Sequence, residues 1–162
     1  MTQVWTLRGR RPLVPAAGQN RRLCVYGAFN YRNGQTHYMV HPKKNAPQFL
    51  RFLHQLLAAN RKRFLVLVLD NASYHLTGAV LDLLTEHEEH VFVVWLPVYS
   101  PELNAIEGLW GHLKKTALNN YFFGDTERLE DAIDRAFYEL NRHPETALSL
   151  AYHTLKNLGK TA

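Results

Sequence analysis

A chain of 162 residues can bury one sizeable core, and 46% hydrophobic with 20% charged residues places it among ordinary globular proteins. Its single cysteine, Cys24, excludes an internal disulfide framework and any multi-cysteine zinc site. No run approaches the roughly 20 apolar residues needed to cross a bilayer. Arg8, Arg10 and Arg11 interrupt the start too early for a signal peptide, so a cytoplasmic protein without membrane contact is expected.

Charge is spread unevenly. Met1 to Arg63 holds 12 Lys or Arg and no Asp or Glu, whereas Phe64 to Ala162 holds 7 against 14. So long a stretch without a carboxylate either serves solubility or attracts polyanions, nucleic acid first among them.

In chain order, residues 1–22 carry Arg-Gly-Arg-Arg-Pro, Pro15 and Gly18, which marks a basic loop or arm with a short strand at Val4–Leu7. Leu23–Tyr31 and Gln35–Val40 are rich in β-formers and flank Asn33-Gly34, so a hairpin with a type I′ turn is expected. Cys24 falls inside its apolar run and reads as a small buried core residue. After a turn at Pro42–Asn45, residues 46–60 repeat apolar side chains at three and four positions, the period of a helix. Phe64–Leu69 is an unbroken apolar run, as for a strand buried on both faces. Leu76–Glu86 reads as a helix with Val80, Leu81, Leu83 and Leu84 facing the core, and Val91–Leu96 as a second buried strand. Asn104 suits the N-cap of a helix to about Leu118. Helices over 126–141 and about 145–158 close the chain. Strands alternating with helices after a hairpin indicate a single α/β domain over 1–162, with one mixed sheet flanked by helices.

Functional groups in such sheets gather at the carboxyl ends of the central strands. Asp70 follows Phe-Leu-Val-Leu-Val-Leu directly, so it stands at such an edge, as a metal ligand or as a cap for the following turn. Asn71 either supports a metal shell or shapes the turn, and His75 either orients phosphate or water or braces the loop. Glu107 falls in the first turn of the helix expected from Asn104. That spacing also suits a capping box, in which its carboxylate bonds back to the cap amide. Thirty-six residues, one helix and one strand, separate Asp70 from Glu107 and return the chain beside itself. Two carboxylates converging without a nearby Lys or Arg would repel, and magnesium or manganese would relieve them.

The segments Leu-Asp-Asn-Ala-Ser-Tyr-His, residues 69–75, and Leu-Pro-Val-Tyr-Ser-Pro-Glu-Leu-Asn-Ala-Ile-Glu-Gly-Leu-Trp, residues 96–110, carry a resemblance. They are similar to the second and third acidic motifs of mariner-related DDE transposases, in the bacterial insertion-sequence branch. The stretches beginning at Val4 and Val25 are similar to that branch as well, so the resemblance covers roughly Val4 to Gly124. It implies a ribonuclease H-like fold, two magnesium or manganese ions, and cleavage and joining of DNA at transposon ends. It assigns Asp70 and Glu107 as the second and third catalytic acids and metal ligands.

The resemblance also implies a first catalytic Asp on a strand upstream of Val4, and no residue before Asp70 is acidic. The first strand and the catalytic triad are thus expected to be incomplete here. A degraded transposase fragment, one product of a split reading frame, and a non-catalytic DNA-binding or assembly module are the alternatives. Four basic clusters are the candidate DNA contacts: Arg8, Arg10 and Arg11; Arg21 and Arg22; Lys43 and Lys44; Arg61, Lys62 and Arg63. Such contacts position a duplex without reading its sequence. Trp110 is expected to pack in the core rather than stack on a base. The acidic helix over 126–141 supports the core or meets a partner protomer in a homodimer.

Overall fold

The computed structural model describes residues 22–158, apart from Tyr99, Asn120 and Phe122. The strand expected at Val4–Leu7 lies outside the described residues. Those described form β1 (Cys24–Phe29), β2 (Thr36–His41), α1 (Ala46–Ala59), β3 (Leu65–Leu69), α2 (Gly78–Glu86), β4 (Val91–Trp95), α3 (Ile106–Leu113), α4 (Thr126–Arg142) and α5 (Pro144–Leu158). This is the element order expected from the sequence. No described helix is long and apolar enough to cross a membrane.

β1 and β2 pair antiparallel, from Cys24 opposite His41 to Phe29 opposite Thr36. The connection is longer than a two-residue type I′ turn. Asn30 N–H donates to the Gln35 carbonyl and Gly34 N–H donates to the Asn30 carbonyl, each at 2.8 Å. Gly34 is nonetheless required, because its φ is +74° and a Cβ there would collide with the carbonyl of Pro144 at the start of α5. That close approach of α5 is the long-range contact that sets the loop's shape.

Alternation along β1 splits its side chains between two cores. Tyr26 enters one with Phe49, Phe52 and Leu53 of α1 and Val80 and Leu83 of α2. Val25, with Tyr38 and Val40 of β2, packs on the other, built from Leu109 of α3, Ile133, Phe137 and Leu140 of α4, and Ala147 of α5. The hairpin is therefore covered by helices on both faces. Each deeply buried Leu or Phe in these cores contributes about 1.5–3 kcal/mol of burial free energy. Asn45 caps α1 by accepting from Gln48 N–H at 3.2 Å, and Asp125 caps α4 by accepting from Arg128 N–H at 2.8 Å.

β3 and β4 pair parallel, Leu65 opposite Val91 through Leu69 opposite Trp95, with α2 as the crossover. The single mixed sheet expected is, among the described residues, two ladders of two strands each. β1 and β3 instead line a common cleft of about 220 Å³, into which Phe49, Phe52 and Leu53 of α1 also reach. Nor are β3 and β4 buried on both faces. Leu65, Leu67, Leu69 and Val93 pack on the first core, while Val66 and Phe92 are each 58% exposed and Val68 and Val94 are exposed beside them. The helices α1 and α2 cover one face, and among the described residues nothing covers the other.

Three smaller expectations are corrected. Cys24 is half-buried at the hairpin's end rather than in the core. Leu81 faces outward from α2, which begins at Gly78 and turns Val80, Leu83 and Leu84 inward. Asn104 is not the N-cap of α3: a 3₁₀ turn at Pro101–Leu103 intervenes, Ala105 takes the cap position, and no side chain caps the helix. The helix then continues as a π-helical turn over Lys114–Leu118.

Candidate active site

β3 ends at Leu69 and delivers Asp70 to the carboxyl edge of the β3–β4 ladder. Three hydrogen bonds fix the chain there. Leu96 N–H donates to the Leu69 carbonyl at 2.8 Å, extending the ladder by one bond beyond Trp95. Asn71 Nδ2 donates to the Leu96 carbonyl, so its side chain ties the two strand ends together. Ala72 N–H donates to Asp70 Oδ1 at 3.2 Å, an Asx-type turn that sends the chain away from the strand. Asn71 thereby joins the two strand ends through its side chain.

His75 braces the carboxylate. Its Nδ1 lies 2.8 Å from Asp70 Oδ1 and 3.1 Å from the Asp70 carbonyl, both acceptors, so Nδ1 carries the proton. The imidazole is buried between the rings of Phe49 and Tyr74, each with its centroid 4.2 Å away. Burial pushes its pKa below the ordinary histidine value. The Asp70 carbonyl and carboxylate pull the other way, and the Lys44 ammonium adds to the lowering. Tyr74 is held as the neutral phenol, its pKa raised by burial first and then by the Asp70 carboxylate. Asp70 itself keeps about half its side-chain surface in solvent, open to a ligand.

Glu107 arrives on the first turn of α3, whose positive dipole end favours a carboxylate. The reciprocal capping bond considered from sequence is absent, because the 3₁₀ turn displaces Asn104 from the cap. Glu107 is exposed, with its amide donating to the Asn104 carbonyl at 3.0 Å. Asp70, Asn71, Ser100, Asn104 and Glu107 line one hollow of about 280 Å³ together with Pro97 and Val98. Among the described residues, no group of three or more His, Cys, Asp and Glu side chains is placed to hold a metal ion.

Both carboxylates also line the cleft between β1 and β3, together with Lys44, Tyr74 and His75. Lys44 is one of the DNA contacts expected from the sequence, but its place beside Asp70 was not, because it lies 26 residues earlier and only the return of β2 brings it there. Of the basic clusters, Arg8, Arg10, Arg11 and Arg21 lie outside the described residues. Arg22, Lys43, Lys44, Arg61, Lys62 and Arg63 are exposed. Arg61–Arg63 precede β3 and so stand at the end of that strand opposite Asp70. Trp110 packs, as expected: it lies against Gly27 and edge-on to Phe137, at a centroid distance of 5.9 Å. Asp82 and Glu86, the remaining acids close to Asp70 in sequence, sit exposed on α2.

A family model described as "DDE superfamily endonuclease" matches residues 1–130. The chain is 30% identical over 118 residues to the "Insertion element IS630 uncharacterized 39 kDa protein" of Shigella sonnei, a match covering 72% of this chain and 34% of that protein. It therefore spans about a third of that relative's length. It is 24% identical over 127 residues to the "Uncharacterized protein y4pE/y4sA" of Sinorhizobium fredii (strain NBRC 101917 / NGR234), covering 78% of this chain and 90% of that one. In three dimensions it is similar to the crystal structure of the Mos1 strand transfer complex, with a TM-score of 0.58 and 22% identity over 93% of this chain and 49% of that one. The Mos1 transposase paired-end complex with left transposon end gives a TM-score of 0.53 at 20% identity, over 93% and 50%. At these identities the two structures speak for the fold, a mixed α/β arrangement of the ribonuclease H-like kind.

Proposed function

The chain belongs to the DDE superfamily endonucleases, and from that premise we propose that it is the DNA-acting core of an insertion-element transposase in which Asp70 and Glu107 hold a divalent cation. The observation that carries this reading is the meeting of a strand end and a helix start, so that both carboxylates line one solvent-open hollow. The donor set suits magnesium or manganese, since Ser100 and Asn104, residues with side-chain oxygens, line that hollow with Asp70 and Glu107. Magnesium needs only one or two protein carboxylates, taking water and substrate phosphate for the rest. When bound, such a cation supplies Lewis-acid stabilisation of a phosphodiester and a more acidic water.

The chain's own residues do the remaining work. His75, neutral and buried, fixes the rotamer of Asp70 by donating from Nδ1. Asn71 holds the two strand ends at one level, so Asp70 does not drift from Glu107. Arg22, Lys43, Lys44, Arg61, Lys62 and Arg63, with the arm before them, attract the duplex by charge. The Mos1 complexes carry names that speak of paired ends and, in one case, of manganese. For this chain, transposon-end DNA, that metal and a homodimeric assembly are part of the same proposal.

Supercoiled plasmid tests it, incubated with magnesium or manganese and the wild type, Asp70→Ala or Glu107→Ala chain. Metal-dependent nicking lost in both variants is expected. Nicking that persists in folded Asp70→Ala would assign the chemistry to other residues. A second reading, a non-catalytic DNA-binding or assembly module, is favoured by one observation: no third acid joins the pair among the described residues. It corresponds to salt-sensitive DNA binding that survives both substitutions, without nicking.

A further inference from the structure

Among the described residues, Lys44 is the sole Lys or Arg in the walls of the cleft that Asp70 and Glu107 share. Its backbone is pinned on both sides by one buried phenol. The Tyr26 hydroxyl accepts from Asn45 N–H at 2.8 Å and faces the carbonyls of Lys43 and Asn45 at 3.2 Å each. Its side chain is placed as well, with Nζ 5.1 Å from the centroid of the Tyr74 ring. That ring is not free to move. It packs edge-on against Tyr26 and Phe49 at 6.3 and 5.7 Å, and it touches His75, the residue that braces Asp70. An exposed lysine ordinarily samples many rotamers; here the backbone is held and the ring seats the ammonium, in the wall of the cleft that both carboxylates line.

Resting on the DNA-acting reading of this site, we propose that Lys44 is the cation that holds a DNA phosphate against the Asp70–Glu107 pair, with Tyr74 as its positioning residue. A phosphodiester approaching two carboxylates meets repulsion, which a fixed point charge at the rim offsets. Arg61, Lys62 and Arg63 cannot take this part. They stand before β3, and the five residues of that strand put about 16 Å between them and Asp70. Their contacts fall on flanking backbone instead. The Lys44 charge is also felt in the site, since it contributes to the lowered pKa of His75.

The test is the binding of a fluorescein-labelled DNA duplex, read by anisotropy from 0.05 to 0.3 M KCl, beside thermal melts and the plasmid assay. Lys44→Gln should weaken binding about five-fold near 0.15 M salt and make the log–log salt slope shallower by about 1. Lys44→Arg should keep the slope. Tyr74→Phe, which keeps the ring, should bind as wild type. Tyr74→Leu should weaken binding when Lys44 is present and have no further effect in the Lys44→Gln chain, a non-additivity that general destabilisation does not produce. An unchanged slope in folded Lys44→Gln overturns the assignment, and if nicking still depends on Asp70 and Glu107 the parent reading stands. A wild-type chain that binds no DNA overturns both.

Discussion

The indole of Trp110 occupies the space a side chain at Gly27 would need: a Cβ there would lie 2.5 Å from Cη2 and 2.8 Å from Cζ2. Gly27 sits mid-way along β1 and Trp110 follows Glu107 by one helical turn, so the contact sets how closely α3 approaches the hairpin. Ile106, beside Glu107, is 3.7 Å from the same point. The position of the Glu107 helix thus depends on the absence of a side chain one strand away. Gly27→Val should force the indole or the helix to move and destabilise the fold by about 1–3 kcal/mol. Urea unfolding measures this, and metal binding by the surviving folded fraction reports whether Glu107 has been displaced. A fully stable Gly27→Val chain would mean that α3 is not held by this contact.

A second link ties α4 to the hairpin through one side chain. Asn141 Oδ1 accepts from Thr36 N–H at 2.7 Å and from Thr36 Oγ1 at 2.8 Å, while its Nδ2 donates to the Thr36 carbonyl at 3.0 Å. Thr36 is buried, so removing the partner strands its polar groups. Asn141→Ala should cost about 1–3 kcal/mol in urea unfolding, well beyond an exposed helix substitution. A loss below about 0.5 kcal/mol would show that water replaces the amide there.

Much of this was legible in the sequence, and the boundary between what was and was not is physical. Patterning and turn or cap residues located the β-strands and α-helices among the described residues: α1 and α4 repeat their apolar side chains at helical spacing, β3 and β4 are apolar runs, and Asn33-Gly34 marks the hairpin. Asp70 and Glu107 were found by their places at a strand end and a helix start. Periodicity says nothing about coverage, so a fully apolar strand and a half-covered one read alike; Val66 and Phe92 were taken as buried for that reason. The 3₁₀ turn at Pro101–Leu103 displaced the cap from Asn104 to Ala105, a local shift of one residue that cap preferences do not resolve. Lys44 and Tyr74 carry no motif of their own. Their place beside Asp70 follows from the return of β2 and the packing of α1, which are tertiary facts.

The face of β3 and β4 that is uncovered among the described residues bears on behaviour in solution. Val66 and Val68 stand beside Phe92 and Val94 in the ladder, and among the described residues β3 pairs with β4 alone, its other edge lining the cleft. A patch of that kind drives association, and an open strand edge adds to it. Concentration-dependent self-association in light scattering is expected, reduced by Val66→Lys or Phe92→Lys. A chain that stays monomeric at high concentration, with variants that behave identically, would show that the face is covered.

pH dependence follows from His75 and Tyr38. The His75 pKa is lowered on folding, so in chelator its contribution is complete above the ordinary histidine pKa near 6.5 and falls as the pH drops below it. The melting temperature should decline on that side, and less steeply in His75→Gln. At the other extreme the Tyr38 pKa is raised from 10.0 to about 12, by burial and then by its 2.9 Å hydrogen bond to Asp134. A raised pKa contributes stability fully below pH 10 that is lost as the pH rises toward 12. Tyr38→Phe should flatten that alkaline limb, and an unaltered limb would place the loss elsewhere.

The most direct measurement of the central claim is a manganese titration of the folded chain by calorimetry, repeated on Asp70→Asn and Glu107→Gln. If the two carboxylates share one cation, wild type binds it and each single substitution weakens binding at least ten-fold, because either change removes an anionic ligand. Manganese binding untouched by one of the two substitutions would contradict the account, since Asp70 and Glu107 would then line a common hollow without holding a common ion.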